Sequence, residues 1–288
     1  MQIGIGLPNH VAHVPGPLTV QWSRRAEQRG FANLTTIDRL VYESLDSIVA
    51  LSAAAGATSD IGLVTNVVLA PLYPAALLAK QFASLADIAG GRLTVGLGVG
   101  SRADDFTAVD VDYRQRGQVF DQTVALMRNA WRTEVVTGDK ALCPAPVQIP
   151  ILFGGTSQAT IRRVATLGDG WCAGALRDYA NQSLFIERVR SAWRGAGRSG
   201  TPWLNASVNF AFGDAESETV RAGYGHLQSY FGFFPDDARL AITADMLTSS
   251  QDAAATVRAY RDLGFDGLPF HPCVASLDQV DRLADLVL

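Results

Sequence analysis

The stretch Gly90-Gly91-Arg92-Leu93-Thr94-Val95-Gly96-Leu97-Gly98-Val99-Gly100 decides the fold. Upstream, Leu77, Leu78, Phe82, Leu85 and Ile88 recur at helical spacing and run into the Gly-Gly turn. A short β run over 93–97 follows and breaks into Gly98-Val99-Gly100-Ser101. Glycine at a strand exit lets the backbone come close to a bound ligand. A helix, a tight turn, a buried strand and a glycine-rich exit form one repeat of a parallel α/β sheet, where ligands sit at the carboxyl ends of the strands.

The same alternation extends along the chain. Further strands are expected over 2–7, 33–37, 61–65, 151–153, 170–173, 205–212 and 267–270. Helices are expected over 18–30, 44–58, 74–89, 117–132, 182–197, 215–230, 253–263 and 276–288, with another ending at Leu167. Eight strands alternating with helices predict a single (β/α)8 TIM-type barrel over 1–288, with 231–250 as an irregular lid loop over its mouth. A doubly wound sheet is the alternative, but no GxGxxG follows the first strand and Gly4-Ile5-Gly6 lies inside it. The stretch 133–150, with Pro144, Pro146 and Pro150, reads as a short connection.

The bulk numbers agree with one large core: 288 residues, 48% hydrophobic, where a barrel of this type needs about 250 residues. A net charge of −4 argues against nucleic acid and anionic membranes as partners, since both need clustered basic surface. All basic residues but Lys80 and Lys140 are arginine, a bias that fits a GC-rich genome. Cys143, Cys172 and Cys273 lack CxxC spacing, so neither a disulfide framework nor a zinc knuckle is expected, and a reducing cytoplasm fits best. No signal peptide and no membrane-spanning segment are expected: residues 1–5 enter a strand at once, and no apolar run approaches roughly 20 residues.

Candidate chemistry gathers at the strand exits. Gly154-Gly155-Thr156-Ser157 lies where a strand gives way to a helix, and its N–H groups suit a phosphate. The plainer alternative is a turn with Thr156 or Ser157 as N-cap. Asn66, after the third strand, is either an amide partner for a planar heterocycle or an ordinary turn residue. Asp38-Arg39, after the second strand, either orients a ligand and moves a proton or forms a surface ion pair. His10 and His271 follow the first and last strands, neighbours in a closed barrel, and so can both face the mouth. His10, His13, His226 and His271 show no HxH or HxxxH spacing, so no metal is expected. The absence of GxSxG removes the hydrolase elbow. The cluster from Tyr230 through Phe233 to Pro235 either covers an apolar ligand or packs under a loop.

Taken as an ordered set, several segments resemble the bacterial luciferase-like superfamily of flavin- and deazaflavin-dependent oxidoreductases. They are Arg25-Ala26-Glu27-Gln28-Arg29-Gly30-Phe31, Leu78-Ala79-Lys80-Gln81, the 90–100 stretch, Arg116-Gly117 with Phe120-Asp121, Pro146-Val147-Gln148 and Gly168-Asp169-Gly170-Trp171. The resemblance implies a TIM-type barrel, usually dimeric, with a flavin-like cofactor at the carboxyl ends of the strands. It implies a non-prolyl cis peptide at Asn66-Val67, forming a bulge against the ring. It also implies that Gly98, Val99, Gly100 and Ser101 border the cofactor, that Gly154, Gly155, Thr156 and Ser157 hold its phosphate, and that Asp38 meets the ring. Two departures stand out: Arg39 replaces a histidine found in several members, and Ser101 replaces the glutamate of the deazaflavin sugar-phosphate dehydrogenases.

The expectation is therefore hydride transfer between coenzyme F420 and an organic small-molecule substrate, by a homodimer. Asp38, His10 and His271 are the candidate proton donors, and Arg39 and Phe233 face the substrate. An FMN-dependent monooxygenase, which needs a dry pocket, and a barrel that binds without catalysis are the alternatives. The alanine-rich helix over 44–58 is a candidate dimer face.

Overall fold

The computed structural model describes residues 1–132, 135–137, 140–144 and 147–288. Pro146 and part of the proline-rich connection lie outside the described residues. The strands are β1 (Gln2–Gly6), β2 (Asn33–Thr36), β3 (Gly62–Leu69), β4 (Leu93–Gly98), β5 (Val135–Thr137), β6 (Lys140–Ala141), β7 (Ile151–Gly154), β8 (Gly170–Cys172), β9 (Trp203–Asn205), β10 (Val208–Phe210) and β11 (Gly267–Pro272). The helices are α1 (Gly16–Gln28), α2 (Ser47–Ala57), α3 (Ala75–Ile88), α4 (Ala103–Ala108), α5 (Arg116–Trp131), α6 (Gln158–Leu167), α7 (Tyr179–Gly195), α8 (Glu218–Tyr230), α9 (Asp236–Ala244), α10 (Ser250–Asp262) and α11 (Asp278–Val287).

The main sheet runs β1-β2-β3-β4-β7-β8-β9-β11, all parallel, and β11 returns to β1 with Gln2 opposite Gly267 and Ile5 opposite Phe270. The barrel is closed and has helices outside, a (β/α)8 barrel. The seventh stave differs from the single strand expected over 205–212. It is built from β9, which joins β8 to β11, and then β10, which pairs with β11. The stretch 231–250 is not an irregular loop: α9 occupies its middle, begun by Pro235 and two acidic residues in the first turn, and Leu247 bridges back to Phe210. The connection over 133–150 carries the small antiparallel pair β5–β6.

The bottom of the barrel is stapled by side chains from the resembling segments. Arg92 donates to the carbonyls of Ala55, Thr58, Ile61 and Ala89 at 2.8–3.2 Å. The Glu27 carboxylate accepts from the N–H groups of Ser59, Asp60 and Ile61. Arg25 and Arg29 grip Asp281, which ties the first helix to the last across the closure. Aromatic and aliphatic side chains fill the core between strands and helices, Trp22, Leu34, Leu63, Phe82 and Phe270 among them.

At the opposite end, β3 and β4 lose register. Thr65 faces Val95 and Val68 faces Leu97, so three residues of β3 span two of β4. The extra residue makes a bulge at Asn66–Val67, whose peptide bond is cis, as the family resemblance implies. The Thr65 hydroxyl replaces the lost ladder, donating to the Gly96 carbonyl at 2.8 Å and accepting from the Gly96 N–H at 2.9 Å. The bulge turns Val67 inward over a glycine floor. A Cβ on Gly98 would stand 2.6 Å from Val67 Cγ2, and one on Gly154 would stand 3.2 Å from Val67 Cγ1.

Overpacking this floor has a defined cost. Gly98→Ala should destabilise the protein by about 1–3 kcal/mol in urea unfolding. The same substitution in a Val67→Ala background should cost markedly less, because the clashing methyl is gone.

Candidate functional site

The site is assembled from the exits of β1, β2, β3, β4, β7 and β11 and from α8, which lies over them. Asp38 leaves β2 and is buried, with both oxygens engaged. Oδ1 accepts from the Ser47 hydroxyl at 2.9 Å and the Tyr73 hydroxyl at 3.1 Å, and Oδ2 accepts from the Leu69 N–H at 2.9 Å. Burial pushes the Asp38 carboxyl up from the usual carboxylate range, against the pull of these three donors. Burial, then the Asp38 charge, pushes the Tyr73 phenol up. Asp38 thus holds the far end of the bulge and the start of α2.

Asn66 and Val67 remain partly exposed at the mouth. The Asn66 amide N–H lies 3.2 Å from His271 Nε2. When the amide donates there, the neutral ring carries its proton on Nδ1. His271 is fully buried, and Gly6 makes room for it: a Cβ on Gly6 would stand 2.6 Å from His271 Nδ1. His10 sits beside it with ring centroids 5.9 Å apart, so the β1–β11 closure brings the two histidines together. His226 of α8 joins them, 5.2 Å from the His10 ring. Burial lowers His226 to about 4 and His271 to about 3. Burial, then the proximity of His226 and His271, puts His10 well below its ordinary value. The His10 ring lies near the backbone of Leu7 and Pro272 but makes no hydrogen bond of normal geometry. At neutral pH all three are uncharged imidazoles. His10 and His271 therefore stand at the mouth but are not positioned as charged acids.

From Val67 the floor continues across Gly98 and Gly154 to the N-terminus of α6. Gly155 takes φ +105°, which favours glycine, and its carbonyl accepts from the Trp171 indole at 2.8 Å. Thr156 and Ser157 are exposed, and Ser157 is the N-cap, accepting from the Thr160 N–H at 3.2 Å. The N-cap reading of Ser157 is therefore met, while the N–H groups of Gln158 and Ala159 have no partner within the helix. Gly100 takes φ +87°, which favours glycine, and a Cβ there would stand 3.0 Å from the Phe106 ring. Val99 is partly exposed and Ser101 exposed beside it.

The top is aromatic. Tyr230 is buried, with the His10 and His226 rings on one side and Tyr42 at 5.2 Å. Arg39 donates to the Tyr230 carbonyl at 2.7 Å. Phe231, Phe233 and Phe234 stack in succession after α8, and Arg102 lies over Phe233 at 4.5 Å. Sequence reasoning missed Arg102, His226, Tyr73 and Ser47. The first stands one residue past Ser101 at a strand exit, and His226 stands one helical turn before Tyr230, so both carried a signal. Tyr73 and Ser47 carried none, because their roles depend on contacts over 35 and 9 positions. His13 is exposed and pairs with Glu43 away from the cluster. Among the described residues no three His, Cys, Asp or Glu side chains are grouped to hold a metal ion, and no helix is long and apolar enough to cross a membrane.

The closed barrel carries a bulged third strand, a glycine floor and a helix N-terminus at its mouth. The model of the luciferase-like monooxygenase family matches residues 1–271, and the chain belongs to that family, whose members are oxidoreductases or monooxygenases. It is similar to an F420-dependent hydroxymycolic acid dehydrogenase of Mycobacterium tuberculosis, 29% identical over 224 residues, 70% of this chain and 61% of that protein. Among solved structures, an F420-dependent secondary alcohol dehydrogenase in complex with an F420-acetone adduct superposes with a TM-score of 0.81 at 16% identity, over 99% of this chain and 98% of the other. A monooxygenase, RslO1 from Streptomyces bottropensis, superposes with a TM-score of 0.80 at 21% identity, over 99% and 97%. At these identities the two structures share the fold.

The neutral histidine cluster fixes an acid response. An unfolded histidine titrates near 6.5, whereas folded His226 and His271 titrate at about 4 and about 3. Below 6.5 the unfolded chain binds more protons, so stability falls as pH drops through this window and is restored above it. The loss should be on the order of 2 kcal/mol per histidine by about pH 4.5. His226→Phe should flatten the fall of the urea midpoint between pH 7 and 4.5.

Proposed function

We propose that the protein is an oxidoreductase that transfers a hydride between coenzyme F420 and an organic substrate. The observation that carries this reading is the continuous floor from Val67 over Gly98 and Gly154 to the open N-terminus of α6. Such a surface suits a long ligand with a planar head and a phosphate-bearing tail. The similarity to an F420-dependent dehydrogenase supports the deazaflavin as that ligand. When bound, the deazaflavin supplies the hydride chemistry itself.

The chain's own residues bind, orient and exclude water. Val67 and Gly98 support the planar head, with Val99, Gly100 and Ser101 along its edge. Asn66, held by His271, offers its amide to the head. The first turn of α6, with Gly155, Thr156 and Ser157, takes the phosphate. His271 keeps its proton at Nδ1 and, with His10, gives the mouth a neutral polar wall. Asp38 acts through Leu69 and Tyr73. Arg39 and Phe233 face the substrate side, and Tyr230 keeps bulk water from the interior.

The aromatic cover over the mouth favours a second reading, an FMN-dependent monooxygenase, which needs a dry pocket. Fluorescence titration of the purified chain with F420 and with FMN separates the two. Micromolar binding of F420 alone is expected. Preference for FMN selects the monooxygenase, and binding of neither overturns both and leaves a non-catalytic barrel. Thr156→Glu is the matching variant: a carboxylate at a helix N-terminus suits the helix dipole but repels phosphate. Cofactor affinity should fall about tenfold with stability unchanged or slightly raised.

The homodimer belongs to the same proposal. α2 is apolar on every face, and Val49, Leu77 and Ile88 are 67%, 50% and 61% exposed beside a groove between α2 and α3 of about 400 Å³. A second copy is the proposed occupant. Light scattering should give twice the 30.8 kDa chain mass, and Val49→Glu should shift it toward the monomer.

A further inference from the structure

We propose that Arg39 and Arg102 together form the recognition site for a carboxylate on the substrate. This rests on reading the barrel mouth as the substrate site of an oxidoreductase. The two arginines leave the exits of β2 and β4, the strands on either side of the bulged β3, so they flank Asn66–Val67. Both side chains are only 9% exposed. A buried guanidinium needs hydrogen-bonded counter-charge, and these two are poorly supplied.

Among the described residues no carboxylate or carbonyl accepts a hydrogen bond from Arg102. Its nearest carboxylate is Asp105 at 3.7 Å. Asp105 is turned to other duties, since its Oδ1 accepts from the N–H groups of Leu40 and Val41 at 3.2 and 2.7 Å. Its Oδ2 has no hydrogen-bond partner. Among the described residues Arg39 donates once, to the Tyr230 carbonyl, and its nearest carboxylate is the half-exposed Asp104 at 3.9 Å. Among the described residues Nε of both arginines is buried without a partner. The buried Tyr230 hydroxyl oxygen faces Arg102 as its donor and has no acceptor for its own proton.

The aromatic rings explain how the pair is held while its donors stay free. Arg39 lies over Tyr42 at 4.5 Å and over Tyr230 at 5.3 Å. Arg102 lies over Tyr230 at 4.8 Å and over Phe233 at 4.5 Å. Ring faces fix the guanidinium planes and leave the N–H edges available. Burial, then the charge of Arg102, holds Arg39 below its ordinary range, despite Asp104 and Asp105 acting the other way. A substrate carboxylate would answer that repulsion, accept from the forks of both arginines, and give the Tyr230 hydroxyl an acceptor. A neutral substrate would leave all of these groups unanswered.

The competing explanation is a clamp: Arg39 and Arg102 only fasten the end of α8. The two differ in what they do to a small anion. The purified full chain is titrated with benzoate and with its neutral isostere benzamide, followed by intrinsic fluorescence. Benzoate should bind, benzamide at least about tenfold more weakly, since a charge-assisted pair is lost. Arg102→Gln should weaken benzoate by about tenfold, with partial recovery in Arg102→Lys, which keeps the charge but not the fork. The same proteins are titrated with F420 and FMN. Carboxylate-selective, Arg102-dependent binding sustains the site even if neither cofactor binds, in which case only the oxidoreductase reading falls. Equal binding of benzoate and benzamide, no binding of benzoate, or a folded Arg102→Gln protein with unchanged benzoate affinity overturns the proposal and leaves the clamp. Should Arg102→Gln not fold, the benzoate–benzamide comparison on the unaltered chain decides.

Discussion

Everything at the mouth depends on how the barrel absorbs one extra residue in its third strand. Two side chains bracket the bulge. Thr65 restores both hydrogen bonds to Gly96 on the β4 side, and Asp38 accepts from the Leu69 N–H on the β2 side. Between these anchors Asn66 and Val67 are free to face inward. The consequences spread sideways. Val67 can occupy the centre only because Gly96, Gly98 and Gly154 present no side chains to it. The glycines at two further strand exits are thus required first by Val67, and a ligand's close approach follows from the surface they make together.

The electrostatics of the mouth divide at Tyr230. On one side three imidazoles are buried so completely that desolvation keeps them neutral. On the other side two guanidiniums are buried, and these cannot discharge, because arginine holds its proton under all working conditions. A histidine answers burial by losing charge, whereas an arginine must find a partner. The same degree of enclosure therefore gives a neutral wall against β1 and β11 and a cationic corner against β2 and β4. Tyr230 touches both, as ring to the histidines and as face to the arginines.

Much of this was legible in the sequence. The alternation of strands and helices gives the barrel, and because the first and last strands neighbour each other, the residues that follow them, His10 and His271, lie together with rings 5.9 Å apart. The break in the seventh stave was not legible, because Ala206 and Ser207 are buried like strand residues and interrupt no periodicity. The α9 helix was legible in part, through Pro235 and Asp236-Asp237, but the phenylalanines before it drew the reading toward a loop. The roles of the strand-exit residues were harder. Asp38, which the resemblance places at the ring or its polar substituents, has its oxygens filled by Ser47, Tyr73 and Leu69, partners that only the fold brings near.

The segments that carry the family resemblance serve two different ends of the molecule. Glu27 and Arg92 bind backbone at the bottom, where they lock the loops into β3 and leave nothing for a ligand. Gly98, from the same kind of segment, acts at the top through what it lacks. The bottom staples and the bulge belong to the scaffold, so they report a class of barrel and no substrate. The arginines, the tyrosine and the phenylalanines lie on the exits and on α8, outside that scaffold. Specificity in a barrel of this kind is therefore written in the residues that follow the strands, Arg39 after β2 and Arg102 after β4, and in the helix that closes over them.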